Sequence, residues 1–186
     1  MKRMKTIIEF NYSWIILLIN SLLMIVLFFG CSGSQVPISP PGDVSVDKQL
    51  LGDWIEIKNI EIQNTVDTFP DKMKVYQFNE YEYLIKYMVI DTSGTETLLI
   101  RAFTTPVNDA LFANVQCLGC DDDNDYAFFR YLLTNDGILK VWPVKTEYYG
   151  DPMFTESSEL FDYMLNHLDN DEIYDSLTQF KKEKKY

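Results

Sequence analysis

Apolar and polar positions alternate with period two along much of this 186-residue chain. Tyr81 to Asp91 is the clearest case. Tyr81, Tyr83, Ile85, Tyr87 and Val89 fall on one face, with Glu82 and Lys86 on the other, as in a half-buried strand. Thr92-Ser93-Gly94-Thr95 reads as a turn, and Glu96 to Thr104 returns to complete a hairpin. Leu51 to Ile62 alternates in parts, Met73 to Phe78 follows the Phe69-Pro70-Asp71 turn, and Ala110 to Gln116 is a further strand. Tyr126 to Leu133 and Ile138 to Val144 flank Thr134-Asn135-Asp136-Gly137, a strong hairpin signal. Seven strands joined by short turns predict an antiparallel meander. The period then changes. Phe161, Leu165 and Leu168 follow at i, i+4, i+7, with Leu160 and Met164 beside them, which predicts an amphipathic helix over 158–168, capped by Ser157 or Ser158. Beyond it, Ile173, Leu177 and Phe180 continue the helix, or Ser176 to Glu183 forms an eighth strand closing the sheet. The strand is the preferred reading.

A second hydrophobic pattern has no period. Trp14 to Cys31 is an apolar run interrupted only by Asn20 and Ser21, preceded by Lys2, Arg3 and Lys5 and ending in Gly30-Cys31. A basic start, an apolar stretch and a small residue at its end are the layout of an export signal. The stretch resembles bacterial lipoprotein signal peptides, with Phe28 where leucine is usual. That resemblance implies removal of residues 1–30 and acylation of Cys31 as the mature N-terminus. The alternative is an uncleaved transmembrane anchor, since the run is close to the shortest spanning length. In either case the basic end stays inside and the domain lies outside the cytoplasm, held to a membrane of the cell envelope. Residues 32–49 are rich in Ser, Pro and Gly. Such a segment has too little to bury to order itself and reads, with Cys31, as a flexible tether with a reach of roughly 25 Å.

Residues 50–186 are one domain's length of chain, with a density of Tyr and Phe that suits pleated strands. Losing Lys2, Arg3, Lys5 and Glu9 with the first thirty residues leaves 13 basic against 27 acidic side chains, a net charge of −14. Nucleic acid, which needs a basic footprint, is excluded as a partner, and so is electrostatic adhesion to anionic lipid. The acidity reads as a soluble, self-repelling surface.

Gly52-Asp53-Trp54 opens the first strand of this meander, and a Gly-x-Trp there resembles the lipocalin and lipocalin-like (calycin) group. YAFFRYLLTNDGILKVWPV, residues 126–144, is similar to the late hairpin of small bacterial lipocalin-like lipoproteins, and a helix after the meander also suits that fold. The resemblance spans roughly residues 50–180. It implies a mainly β, up-and-down antiparallel barrel of about eight strands with one C-terminal amphipathic helix, closed at its base by Gly52 and Trp54. It also implies a late-strand cation over the Trp, with Arg130 the candidate, or Lys181 if the last segment is a strand. A barrel of that size holds one small ligand or fills itself with side chains. A ring of small or polar inward residues would mark a cavity. The Tyr81, Tyr83, Tyr87 face leans towards a filled interior.

Cys117-Leu118-Gly119-Cys120 is the sharpest local motif. A redox pair opens a helix in a βαβ unit, whereas this pair follows a strand and precedes an acidic turn. A zinc site needs two more ligands, and the chain offers His167 and no mature thiol besides Cys31. In an oxidising compartment a structural disulfide is the expected state. Asp121, Asp123 and Asp125 have the 1, 3, 5 spacing of a calcium loop, but Tyr126 and Leu132 stand where the loop needs Gly and Glu. They read as an exposed acidic turn. His167 reads as a surface or helix-end residue. The sequence shows no catalytic constellation and calls for no cofactor or metal. Two function classes lead, namely a membrane-tethered binder of a small apolar ligand and a filled-barrel envelope protein docking on a protein partner.

Overall fold

The computed structural model describes residues 33–58, 70–91, 94–120, 125–150 and 153–183. The signal segment, Cys31 and most of the acidic turn, Asp121 to Asn124, lie outside them. Eight strands follow in order: β1 (Gly52–Glu56), β2 (Lys72–Gln77), β3 (Glu82–Asp91), β4 (Gly94–Val107), β5 (Ala110–Leu118), β6 (Ala127–Leu133), β7 (Ile138–Pro143) and β8 (Thr178–Lys182). Each pairs antiparallel with the next, and β8 pairs back onto β1 through Trp54–Lys182 and Glu56–Phe180. The chain is thus a closed up-and-down barrel, which leaves no free sheet edge. The final segment is the eighth strand. Period two decides this, because Thr178 and Phe180 turn inward together and continuing as helix would leave one edge each of β1 and β7 unpaired.

Alternation sorts the side chains into two cores. Inward positions of the strands form one, with Leu50, Trp54, Met73, Val75, Tyr83, Ala102, Leu139 and Phe180 buried together. Outward positions of β5, β6 and β7 form the second. There Phe112, Phe128 and Trp142 pack with α1 (Ser157–Asn166), the one α-helix among the described residues. Leu160 and Met164, one helical turn apart, are the fully buried pair of that helix, with Phe161 and Leu165 flanking them. No side chain caps the helix start; Glu156 holds the cap position and Ser158 Oγ reaches its carboxylate at 3.5 Å instead.

Residues 33–50 are not a loose tether. Ser34 pairs with Tyr126 through two backbone hydrogen bonds of 3.0 and 2.7 Å. The Ile38 N–H donates to Asn114 Oδ1 at 2.8 Å, and Ser39 Oγ lies 2.7 Å from Thr105 Oγ1. The Val46 N–H donates to the Glu80 carbonyl at 2.9 Å. Ile38 is buried in the outer core. The segment is a strap laid along the outside of the barrel, ordered by partners from distant strands that its own composition does not reveal.

Candidate ligand-binding cavity

The barrel encloses a cavity of about 390 Å³. Its wall is built from the inward-facing positions of β2 to β8, among them Val75, Ile85, Ile100, Val115, Val141 and Phe180. Volume remains because several of these positions are small. Ala102, Thr104, Ala113 and Thr178 all line it, and this cluster of small residues on β4 and β5, with Thr178 on β8, outweighs the aromatic face of β3. Tyr81 lies outside β3, and Tyr83 and Tyr87 line the wall without filling the space. The interior is therefore not filled, against the leaning of the sequence.

One end is closed. Leu50 enters from the strap and lines the cavity, and Trp54, only 1% exposed, packs with Leu50, Met73, Leu139 and Phe180. The indole Nε1–H donates to the Leu50 carbonyl at 2.8 Å. Gly52 sits at φ +123°, a conformation that favours glycine, where the chain turns from the strap into β1. This supplies a physical reason for the Gly in Gly-x-Trp.

The cation over Trp54 is Lys182, whose Nζ lies 5.3 Å from the ring centroid. It is neither of the expected residues. Arg130 points outward, stacks over Tyr174 at 5.6 Å and donates from Nη1 to the Leu168 carbonyl at 3.2 Å. It therefore ties β6 to the segment after α1. Lys181 is one residue out of phase, and a one-residue slip turns a strand side chain to the other face. The signal that identifies Lys182 is parity with Thr178 and Phe180.

The polar atoms of the cavity wall are few, and four of its hydroxyls have partners. Tyr131 OH and Thr104 Oγ1 are 2.8 Å apart. The Tyr83 hydroxyl accepts the Asp47 N–H at 2.7 Å. Tyr87 OH donates to Asp71 Oδ2 at 2.8 Å. Burial pushes the Tyr131 phenol up to about 12, while the Thr104 hydroxyl pulls it back. Burial also raises Tyr83, and burial with the Asp71 carboxylate raises Tyr87 well above the usual phenol range. All three are neutral donors and acceptors at physiological pH, so the cavity carries no charge from its own wall. Its volume equals roughly a dozen water molecules at liquid density.

Cys117 and Cys120 form a disulfide with Cα atoms 5.7 Å apart, at the end of β5. Both sulfurs are thereby committed to each other. His167 ends α1, its Nδ1 2.8 Å from the Tyr163 carbonyl and its ring stacked on Tyr163 at 4.1 Å. It is remote from the cavity wall. Among the described residues no cluster of His, Cys, Asp and Glu gathers as metal ligands would. Comparison with protein-family models, with curated proteins and with solved structures finds no match to this chain.

Proposed function

We propose that this protein is a lipid-anchored, lipocalin-like binder of a small apolar ligand in the bacterial cell envelope. The cavity carries the reading. A 390 Å³ apolar space inside a closed barrel falls in the range of small-molecule sites, and a barrel of eight strands is wide enough for one such ligand. Gly52, Trp54 and Lys182 give the closed end the Gly, Trp and late-strand cation that the lipocalin resemblance implies. The Gly30-Cys31 end of the apolar leader supports anchoring by a lipid on Cys31. The cavity also favours this reading over the alternative of a filled barrel that only docks on another envelope protein.

The ligand class follows from the wall. It offers methyl, methylene and aromatic surface and three neutral phenols, which suits a medium-length acyl chain or a compact ring system of roughly a dozen heavy atoms. The test is displacement of an apolar fluorophore such as 1-aminoanthracene by decanoate, in the native protein and in Ala113→Phe, which fills the cavity from its wall. Binding to the native protein with about tenfold weaker binding to the variant is expected, a loss of roughly 1.4 kcal/mol. Equal binding by both, with the variant folded, would place the ligand elsewhere.

A further inference from the structure

The hydroxyls of the cavity wall are not spread evenly. Tyr83 stands at the start of β3, and Thr104 and Tyr131 stand near the ends of β4 and β6. These strand ends meet at one rim of the barrel, because each strand runs antiparallel to the next. It is the rim closed by Trp54 and Leu50, with which Tyr83 and Tyr131 pack. Tyr87 and Thr178 line the opposite end. There the Tyr87 proton is already committed to Asp71 Oδ2 at 2.8 Å.

At the Trp54 end the protons outnumber their uses. Thr104 Oγ1 and Tyr131 OH share one hydrogen bond of 2.8 Å. Burial raises the Tyr83 phenol, while the Asp47 N–H and the Thr104 hydroxyl lower it, so Thr104 stands between the two phenols. The Asp47 N–H occupies a lone pair of Tyr83 and uses no hydroxyl proton. Three hydroxyls in a row carry three O–H protons, and the two contacts along the row use at most two of them. No other acceptor among the described residues takes one. At least one O–H is therefore left for the cavity, where a donor without a partner is unfavourable.

Charge selects which acceptor suits it. Among the described residues the wall holds no ionised side chain. The charged group acting on both phenols is the Asp47 carboxylate, which adds to burial in raising them. A carboxylate ligand head would lose its water here, meet no cation and face Asp47. An uncharged oxygen meets the same donor without that penalty.

We propose that the ligand carries one uncharged acceptor oxygen, as in a ketone, ester or ether, which Tyr83, Thr104 and Tyr131 hold at the Trp54 end while its hydrocarbon extends toward Tyr87 and Thr178. This rests on the binding role of the cavity. The test compares 2-decanone with decanoate, equal in chain length, as displacers of 1-aminoanthracene from the native protein. 2-Decanone should act at about tenfold lower concentration, and equal or stronger displacement by decanoate overturns the preference for an uncharged head. The carbonyl stretch of bound 2-decanone reads the hydrogen bond directly. It should lie below its value in hexane, and an unlowered stretch overturns the hydrogen bond. Removing any one of the three hydroxyls still leaves a spare proton, so position is tested with Tyr83→Phe, Thr104→Val and Tyr131→Phe together. The stretch should return to its hexane value in that variant, and a lowering retained in the folded variant places the donor elsewhere. Should the triple variant not fold, Thr178→Val decides. A lowering that survives it supports the Trp54 end, and one lost with it overturns that placement. If neither compound displaces the fluorophore from the native protein, the cavity reading itself has failed, whereas binding of both without preference overturns only the uncharged oxygen.

Discussion

Trp54 is held from three directions, by the Leu50 carbonyl on its indole N–H, by the inner core around its ring and by the Lys182 ammonium. Emptying that site in Trp54→Ala should cost roughly 3–5 kcal/mol in denaturant unfolding. A loss under about 1 kcal/mol, as for ordinary surface substitutions, would place Trp54 outside the core. The buried phenols set a pH limit. Tyr131 is raised to about 12 from 10.0. Between these values the unfolded chain has released the proton and the folded one has not, so stability falls as pH rises. That single residue accounts for on the order of 2 kcal/mol. Unfolding midpoints measured from pH 9 to about 12 should fall in the native protein and fall less steeply in Tyr131→Phe. A flat profile would mean that the phenol is solvated. At this scale the sequence was legible wherever local chemistry suffices. Gly52 and Trp54 stand out in the chain, and Cys117 and Cys120 are close enough to be joined within one loop. It was not legible for the cation. Arg130 and Lys181 have the right charge, but only the inward parity of β8 selects Lys182.

Elements with strong periodicity were readable in advance. The β3–β4 and β6–β7 hairpins and the helix follow from alternation and turn residues alone, whereas the closing strand was only the preferred reading over a continued helix. The strap was not, because its order is supplied by side chains far along the chain. Asn114, fully buried, accepts the Ile38 N–H and donates to Thr105 Oγ1 at 2.8 Å, and Thr105 in turn meets Ser39. A composition rule applied to residues 32–49 cannot see a partner on β5. Asn114→Ala leaves the Ile38 N–H without its acceptor and should cost about 1–3 kcal/mol. The loss should be local as well as global. Hydrogen exchange at Ile38 and Val46 should quicken more than at Phe112 in β5, because the strap can lift while the barrel stays closed. Equal acceleration at all three sites would show that the strap and barrel open only together.

The whole molecule combines an acidic surface with an uncharged interior. Its net charge of −12 favours a solvated exterior, while the barrel reserves about 390 Å³ of apolar space. The existence of that space depends on the sizes of inward residues on several strands. Ala102, Thr104 and Ala113 adjoin through the β4–β5 hairpin, and Thr178 of β8 faces the same space only once the barrel closes. The dense tyrosines and phenylalanines, read strand by strand, point instead to a filled core. The most direct measurement is methyl NMR during titration with decanoate. Resonances of Val75, Ile85, Ile100, Val115 and Val141, which line the cavity, should move together and saturate at one ligand per chain. Those of Val107 and Leu160, buried in the outer core, should hold still. Shifts confined to the outer core or to surface leucines, or no shift at all with a folded spectrum, would contradict a binding role for the barrel interior.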